Sequence, residues 1–120
     1  MSLHLTPDML EASYELLRCS KPFSAMRLPP ADDIAFKVLT TKEREGHFKG
    51  WCGGGEHPEI GVSTALVKCL DRLNQTMGHE LIHLWQERRK TAPRYPGHNA
   101  EFKRMARRVC DLHGWDIKTF

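Results

Sequence analysis

Residues 70–84 read LDRLNQTMGHELIHL, and the fold around them follows from the spacing of their apolar side chains. These side chains recur at steps of three and four residues, at Leu70, Leu73, Met77, Leu81 and Leu84. Such spacing places them on one stripe of an α-helix, which would pack against the core. We predict that this helix ends around residues 88–91, before Pro93.

The same stretch contains the run His79-Glu80-Leu81-Ile82-His83. Two histidines four residues apart project side by side from a helix, and here they lie almost opposite the apolar stripe. Glu80 lies off the line joining the two rings, so it is placed to act on a metal-bound water rather than to ligate. The pattern predicts a zinc site with two ligands and a general base. The competing interpretation is a set of polar histidines on a surface helix.

A catalytic zinc takes three protein ligands and leaves the fourth position open for water. His98 follows the loop at residues 91–97, where a last helix is predicted to begin. Glu101 would instead give a site with two histidines and one carboxylate, and Asp111 and His113 lie further along the chain. Residue chemistry favours His98 as the third ligand and leaves Glu101 as the alternative.

The rest of the chain predicts an α+β fold. Thr6 suits an N-cap and Pro7 the first helical position, so a first helix should run from there to before Pro22. Three strands are predicted by the stretches IAFKVLTT, HFKGWC and EIGVST, in a mainly antiparallel sheet. The strand EIGVST would lie either at an edge beside the cleft, where an extended substrate could pair with it, or in the interior of the sheet.

The last helix is predicted from about Asn99 to His113, with Gly114 as its C-cap. Its expected buried stripe contains Phe102, Met105, Ala106, Val109 and Leu112. The order of elements is then helix, three strands, helix, helix, which is typical of a single α+β domain over residues 1–120.

Composition limits the classes of protein that fit. The 120 residues are 40% apolar and 28% charged, and no apolar run approaches the roughly 20 residues that span a bilayer. The N-terminus lacks the features of a signal peptide. The four cysteines form no CxxC pair, which favours free thiols in a reducing compartment over a zinc ribbon or a disulfide scaffold. Trp51 and Trp85 are predicted to lie in the core or in the wall of the cleft.

Positive charge is concentrated in the last third of the chain. Residues 81–120 carry nine basic and four acidic residues, whereas residues 1–80 have a net charge of −2. Four basic residues are predicted on the solvent face of the last helix, at Lys103, Arg104, Arg107 and Arg108. Such a surface can follow a phosphate backbone, although a solvated helix face without a partner has the same pattern.

The stretches HELIHLW and GHNAEFKRMARRV resemble the SprT-like zinc metalloprotease family, which includes the eukaryotic Spartan proteases. In that family a histidine opens the helix after the HExxH helix, in a pattern like H-G-x-x-F, and His98 and Phe102 match it. Asn99 stands where the usual glycine would be. Gly50-Trp51-Cys52 and the strand EIGVST resemble upstream family elements, and the resemblance covers roughly residues 34–113. A C-terminal zinc ribbon, which many relatives carry, is missing from this sequence.

The resemblance implies a minimal zincin-like domain that binds one Zn²⁺ per chain through His79, His83 and His98. Glu80 would assist attack of the zinc-bound water on a peptide bond. Relatives of the Spartan type act on DNA-associated proteins, which favours DNA as a partner of the basic helix face. Tyr95 and Arg94 in the loop between the ligands are candidates for oxyanion or substrate contacts, although an exposed, turn-forming loop is the favoured explanation of both.

The sequence therefore predicts a zinc metalloendopeptidase that acts on protein or peptide substrates. We expect it in the cytoplasm of a bacterial or phage-infected cell, or in the nucleus of a eukaryotic cell, and not in a membrane. One alternative is a non-catalytic, zinc-containing DNA-binding module, which would have no need of Glu80. Another is a zinc hydrolase of a non-peptide bond, such as an RNA phosphodiester, which only the family resemblance disfavours.

Overall fold

A computed structural model describes residues 3–50, 57–95 and 97–120 of the chain. The three long helices are α1 (Pro7–Arg18), α2 (Leu70–Arg89) and α3 (Ala100–His113). The three strands are β1 (Ala35–Leu39), β2 (Gly46–Lys49) and β3 (Glu59–Ser63), and two short 3-10 turns at Phe23–Ala25 and Ala31–Asp33 lead into the sheet. The α+β class and the predicted order of elements are confirmed. Trp51 and Cys52 lie outside the described residues.

The three strands form a mixed sheet in the order β1-β3-β2. β3 pairs parallel with β1 and antiparallel with β2, so the expected mainly antiparallel sheet fits only loosely. The stretch EIGVST therefore forms the central strand, and the proposal that a substrate pairs with it at an edge is wrong because both of its sides are already hydrogen-bonded. The edge next to α2 belongs to β2.

The predicted caps at Thr6 and Gly114 are confirmed, and Asn99, which was predicted only as the approximate start of the last helix, is its N-cap. The Thr6 side chain accepts a hydrogen bond from the backbone N–H of Met9 at 3.3 Å, and Asn99 accepts one from that of Phe102 at 3.0 Å. Gly114 closes α3 in the left-handed conformation, with φ at 73°. These side chains satisfy backbone groups that a helix end otherwise leaves without partners.

Helix α2 lies at the centre of the molecule and packs against α1, α3, β2 and β3. Its buried residues therefore include Thr76, Gly78, Glu80 and Ile82 in addition to the predicted apolar stripe. Leu70, which was predicted on that stripe, is 61% exposed, whereas Leu73 in the same turn is buried, so the predicted place of Leu70 in the core is wrong. The helix is enclosed on most sides, which gives its polar side chains a partly dry environment.

Helix α3 packs one face on α2 and turns the other to solvent. Phe102, Ala106, Val109 and Cys110 are buried, whereas Met105 is only partly buried. Leu112 is 52% exposed, so its predicted place in the core is wrong. At about 100° per residue, Leu112 lies roughly 100° from the centre of the buried stripe. Cys110, at the other edge of the stripe, is buried instead.

Candidate functional site

Helix α2 and the residue before the N-cap of α3 bring three histidines together. His79 and His83 are partly buried one turn apart on α2, and His98 is exposed. One ring nitrogen from each histidine lies within 4.8 Å of the others, an arrangement that can hold a metal ion. The ring centroids are separated by 4.8 to 5.1 Å. The structure thus joins the two predicted helix ligands with the predicted third one.

Phe102 forms the floor beneath the three rings. Its ring stacks on His98 with the centroids 3.9 Å apart and the planes 5° from parallel. It also lies 5.0 Å from His79 and 4.6 Å from His83. Phe102 was predicted as a core residue and as a match to the family pattern, and the structure gives it the further role of fixing the plane of the exposed histidine.

A hydrogen-bonded clamp fixes the loop that delivers His98. The Gln86 side chain, fully buried on α2, donates to Asn99 Oδ1 at 2.8 Å and to Glu101 Oε1 at 3.0 Å. Asn99 Nδ2 donates to the Thr91 carbonyl at 3.0 Å, and the Thr91 hydroxyl donates to Glu101. Both ends of the loop are therefore tied to the end of α2, which limits where His98 can lie.

Glu101 belongs to this clamp and not to the histidine cluster. Its carboxylate accepts from Thr91 and Gln86 and pairs with Arg89 at 3.6 Å. The hydrogen bond from Thr91 is the main reason that the pKa of Glu101 lies below its usual range. The geometry therefore favours His98 over Glu101 as the third ligand.

Glu80 is buried beneath β2, with 4% of its surface exposed. Gly46 makes this close approach possible, because a Cβ at that position would lie 2.8 Å from Thr76 Cγ2 and 3.5 Å from Glu80 Cγ. Burial raises the pKa of the Glu80 carboxyl to about 8, and Arg44 acts in the opposite direction. Its Oε2 atom has no hydrogen-bond partner among the described residues. Thus a carboxyl with free acceptor capacity lies directly beside a candidate metal ligand.

The histidines are held in the neutral form that binds metals. The pKa of His79 is lowered to about 4, mainly by burial and then by its proximity to His98, while a hydrogen bond with the backbone of Phe120 acts in the opposite direction. Burial also lowers the pKa of His83 to about 4, with smaller effects from the other two rings. The pKa of His98 is lowered as well, first by burial and then by Lys103. Three neutral imidazoles are a donor set that suits zinc.

Two cavities border the histidines and meet at Phe120. The first, here called the Lys103 cavity, has a volume of about 270 Å³. It is lined by His79, His98, Phe102, Lys103, Ala106, Arg107, Ile117 and Phe120. The second, here called the Glu80 cavity, has a volume of about 220 Å³. It is lined by Arg44, Glu45, Gly46, Arg72, Thr76, His79, Glu80 and Phe120.

Of the other predicted contact residues, only Lys103 and Arg107 line a cavity next to the histidines. All four basic residues of α3 are exposed, and they line an open groove of about 690 Å³ together with Ala100, Asp111 and Leu112. Arg94 is exposed and Tyr95 is 77% exposed, and neither lines the Lys103 cavity or the Glu80 cavity. Trp85 is partly buried under Arg89, whose guanidinium carbon lies 4.9 Å from the ring centroid.

Sequence reasoning did not identify Phe120, Gln86 or the clamp. Phe120 lies with its ring centroid 5.5 Å from that of His79. One signal was present in the sequence, since a glycine, Gly78, lies in the interior of α2 immediately before His79. A Cβ at Gly78 would lie 3.1 Å from the Trp115 ring and 3.5 Å from the Phe120 ring. A glycine in a helix interior costs roughly 1 kcal/mol relative to alanine, and close approach of another segment is a common reason for it.

Comparisons with known proteins agree with this arrangement. A search among curated proteins finds no match to the chain. None of the helices in the described parts of the chain is long and apolar enough to cross a membrane. The model of the SprT-like family matches residues 30–119, which include α2, the histidine cluster and α3. The chain therefore belongs to the SprT-like family, whose members have a metallopeptidase-like domain.

Proposed function

We propose that this protein is a zinc-dependent metalloendopeptidase. The observation that carries the proposal is the convergence of three imidazole nitrogens within 4.8 Å of one another, beside a buried carboxyl. His79, His83 and His98 would hold the ion, and three neutral nitrogen donors leave one position open for chemistry. When bound, zinc supplies a Lewis acid and lowers the pKa of a coordinated water to near 7.

Glu80 is the residue that would move the proton. A general base works best when its pKa lies near the operating pH, and burial brings the pKa of Glu80 to about 8. A dication held by the neighbouring histidines would lower that pKa and favour the carboxylate. Its unpartnered Oε2 can then accept a proton from the attacking water and return it to the leaving amine. Glu80 would therefore act as base and then as acid.

The buried carboxyl of Glu80 also distinguishes the proposed peptidase from a non-catalytic, zinc-containing DNA-binding module. A structural zinc site closes its fourth position with a protein ligand and has no use for an unpartnered acid. Burying such a group costs free energy, and sites that bear this cost are often functional. Family membership favours a peptide bond over a phosphodiester as the bond that is cleaved.

The test is hydrolysis of unfolded protein substrates by zinc-loaded protein, metal-stripped protein and a Glu80→Gln variant. We expect the variant to keep zinc and its fold but to lose on the order of 10²–10⁴-fold in rate, because an amide cannot accept the proton. Cleavage by Glu80→Gln at the wild-type rate would show that the mechanism is wrong. Hydrolysis of RNA but not of protein by the wild type would show that the substrate class is wrong.

We further propose that the substrates are associated with nucleic acid. Arg104 and Arg108 lie one turn apart on α3, are exposed, and line a shallow cavity with Trp85. Arginine beside an aromatic ring is a combination that can contact phosphates and stack on bases. The axis of α3 begins next to His98, so nucleic acid lying along this helix would bring bound proteins close to the histidines.

A further inference from the structure

Phe120 divides the surface beside His79 into two cavities that differ in charge. The Lys103 cavity lies on the side of His98 and the Glu80 cavity on the side of the general base. Both border a candidate metal ligand, so a polypeptide bound across the histidines would place its side chains on either side of Phe120. The chemistry of each cavity then indicates which side chains the site prefers near the scissile bond.

The Lys103 cavity has apolar walls and a cationic rim. Its walls are the side chains of Phe102, Ala106, Ile117 and Phe120. Lys103 and Arg107 lie one turn apart on α3 at its rim, and both are exposed. In the parts of the chain that the structure describes, neither side chain forms an ion pair or a hydrogen bond, and no acidic residue lines the cavity.

The Glu80 cavity has no comparable excess of charge. Arg72 is neutralised by Glu45, which accepts a hydrogen bond from its Nη2 atom at 2.9 Å and a second, shorter one from Nε. Arg44 is then the one cation that lines this cavity without an ion pair among the described residues, whereas two such cations lie at the rim of the Lys103 cavity. Selection by charge is therefore expected to be stronger on the Lys103 side of Phe120 than on the other side.

We propose that the Lys103 cavity is a specificity pocket that takes an acidic side chain of a polypeptide substrate, next to the scissile bond. This inference rests on the proposed peptidase function. The apolar walls suit the methylene groups of glutamate or aspartate, and the two cations suit the carboxylate. The volume of about 270 Å³ lies below the roughly 300–1,000 Å³ of small-molecule sites, which fits a single side chain.

The expected discrimination is moderate because both cations are exposed to solvent. Charged hydrogen bonds contribute more than neutral ones, but water and salt weaken those at a surface. We expect glutamate to be preferred over glutamine by about tenfold in kcat/KM. Lysine should be rejected more strongly, because it would bring a third positive charge to the rim.

The experiment uses zinc-loaded protein and peptides that differ at one position, occupied by Glu, Gln or Lys. That position is moved along both sides of the cleaved bond, which mass spectrometry identifies. We expect a preference for glutamate at one flanking position, and the double variant Lys103→Glu/Arg107→Glu should prefer lysine there. Lys118→Glu, which makes half of this charge change at an exposed residue that does not line the cavity, should keep the wild-type preference. Zinc content and thermal unfolding are measured for every variant.

The outcomes separate this inference from the proposed function. If the wild type cleaves peptides without a charge preference at any position, or if Lys118→Glu changes the preference as much as the double variant, the pocket assignment is wrong and the peptidase stands. If the wild type holds zinc but cleaves no peptide, the proposed function fails. The pocket is then tested by fluorescence anisotropy of labelled peptides with zinc-loaded Glu80→Gln, where equal affinity for Glu and Gln peptides would refute it.

Discussion

Replacing Glu80 by glutamine should change the pH dependence of stability of the metal-free protein, in addition to its effect on hydrolysis. Burial raises the pKa of Glu80 from the usual 4.5 to about 8 in the folded chain. Between these values the unfolded chain has lost the proton and the folded chain still holds it. The unfolded state binds fewer protons, so the stability of the wild type falls as the pH rises through this window.

The magnitude follows from the width of the window. Each pH unit over which the two states differ by one proton contributes 1.36 kcal/mol. From about pH 5.5 to 7.5 the wild type should therefore lose about 3 kcal/mol relative to Glu80→Gln. The glutamine amide is itself buried without a partner, which costs about 1–3 kcal/mol at every pH. The slope, and not the absolute difference, is thus the quantity that tests the reasoning.

The assay is urea unfolding of chelator-treated wild type and variant at several pH values across this range. His79 and His83 also have shifted pKa values, but they are present in both proteins and cancel in the difference. Glu43→Gln, a matched change at an exposed glutamate, should follow the wild type. Zinc should reduce the pH-dependent difference, because a nearby cation favours the carboxylate. A difference between wild type and Glu80→Gln that stays constant from pH 5.5 to 7.5 would refute the raised pKa.

Three further predictions concern the ligands, the clamp and the basic helix face. The protein should bind one zinc per chain, and His98→Ala should lose most of its zinc affinity whereas Glu101→Ala should keep more of it; the opposite order in metal titrations would make Glu101 the ligand. Gln86→Leu removes two buried hydrogen bonds, so it should lower the free energy of unfolding by about 1–3 kcal/mol and the zinc affinity by about 10–100-fold. Unchanged zinc affinity would show that the clamp does not position the ligand. The double variant Arg104→Glu/Arg108→Glu should weaken DNA binding at low salt in gel shifts while the zinc content stays the same. The logarithm of the wild-type affinity should fall with the logarithm of the salt concentration at a slope of about −0.7 to −0.9 per phosphate contact. If the wild type binds neither single- nor double-stranded DNA, the nucleic-acid proposal is wrong.

The sequence by itself determined the features that depend on residues close together in the chain. The caps at Thr6 and Gly114 were predictable because a cap uses one side chain or one backbone conformation at a helix end. His79 and His83 were predictable as a pair because the helix alone sets their separation. Periodicity failed at Leu70 and Leu112, since it identifies a face of a helix but not whether another element covers that face.

Tertiary structure decided everything that depends on a second segment of the chain. The sequence suggested His98 by its position and resemblance, but its place near the other rings depends on Phe102 and on the Gln86 clamp. The raised pKa of Glu80 exists only because β2 covers it at Gly46. The acidic specificity proposed here likewise depends on Phe120, which no local pattern connects to a histidine 41 positions earlier. Local patterns fix helices and caps through short-range hydrogen bonds, whereas burial and charge at the site are set by packing between distant segments.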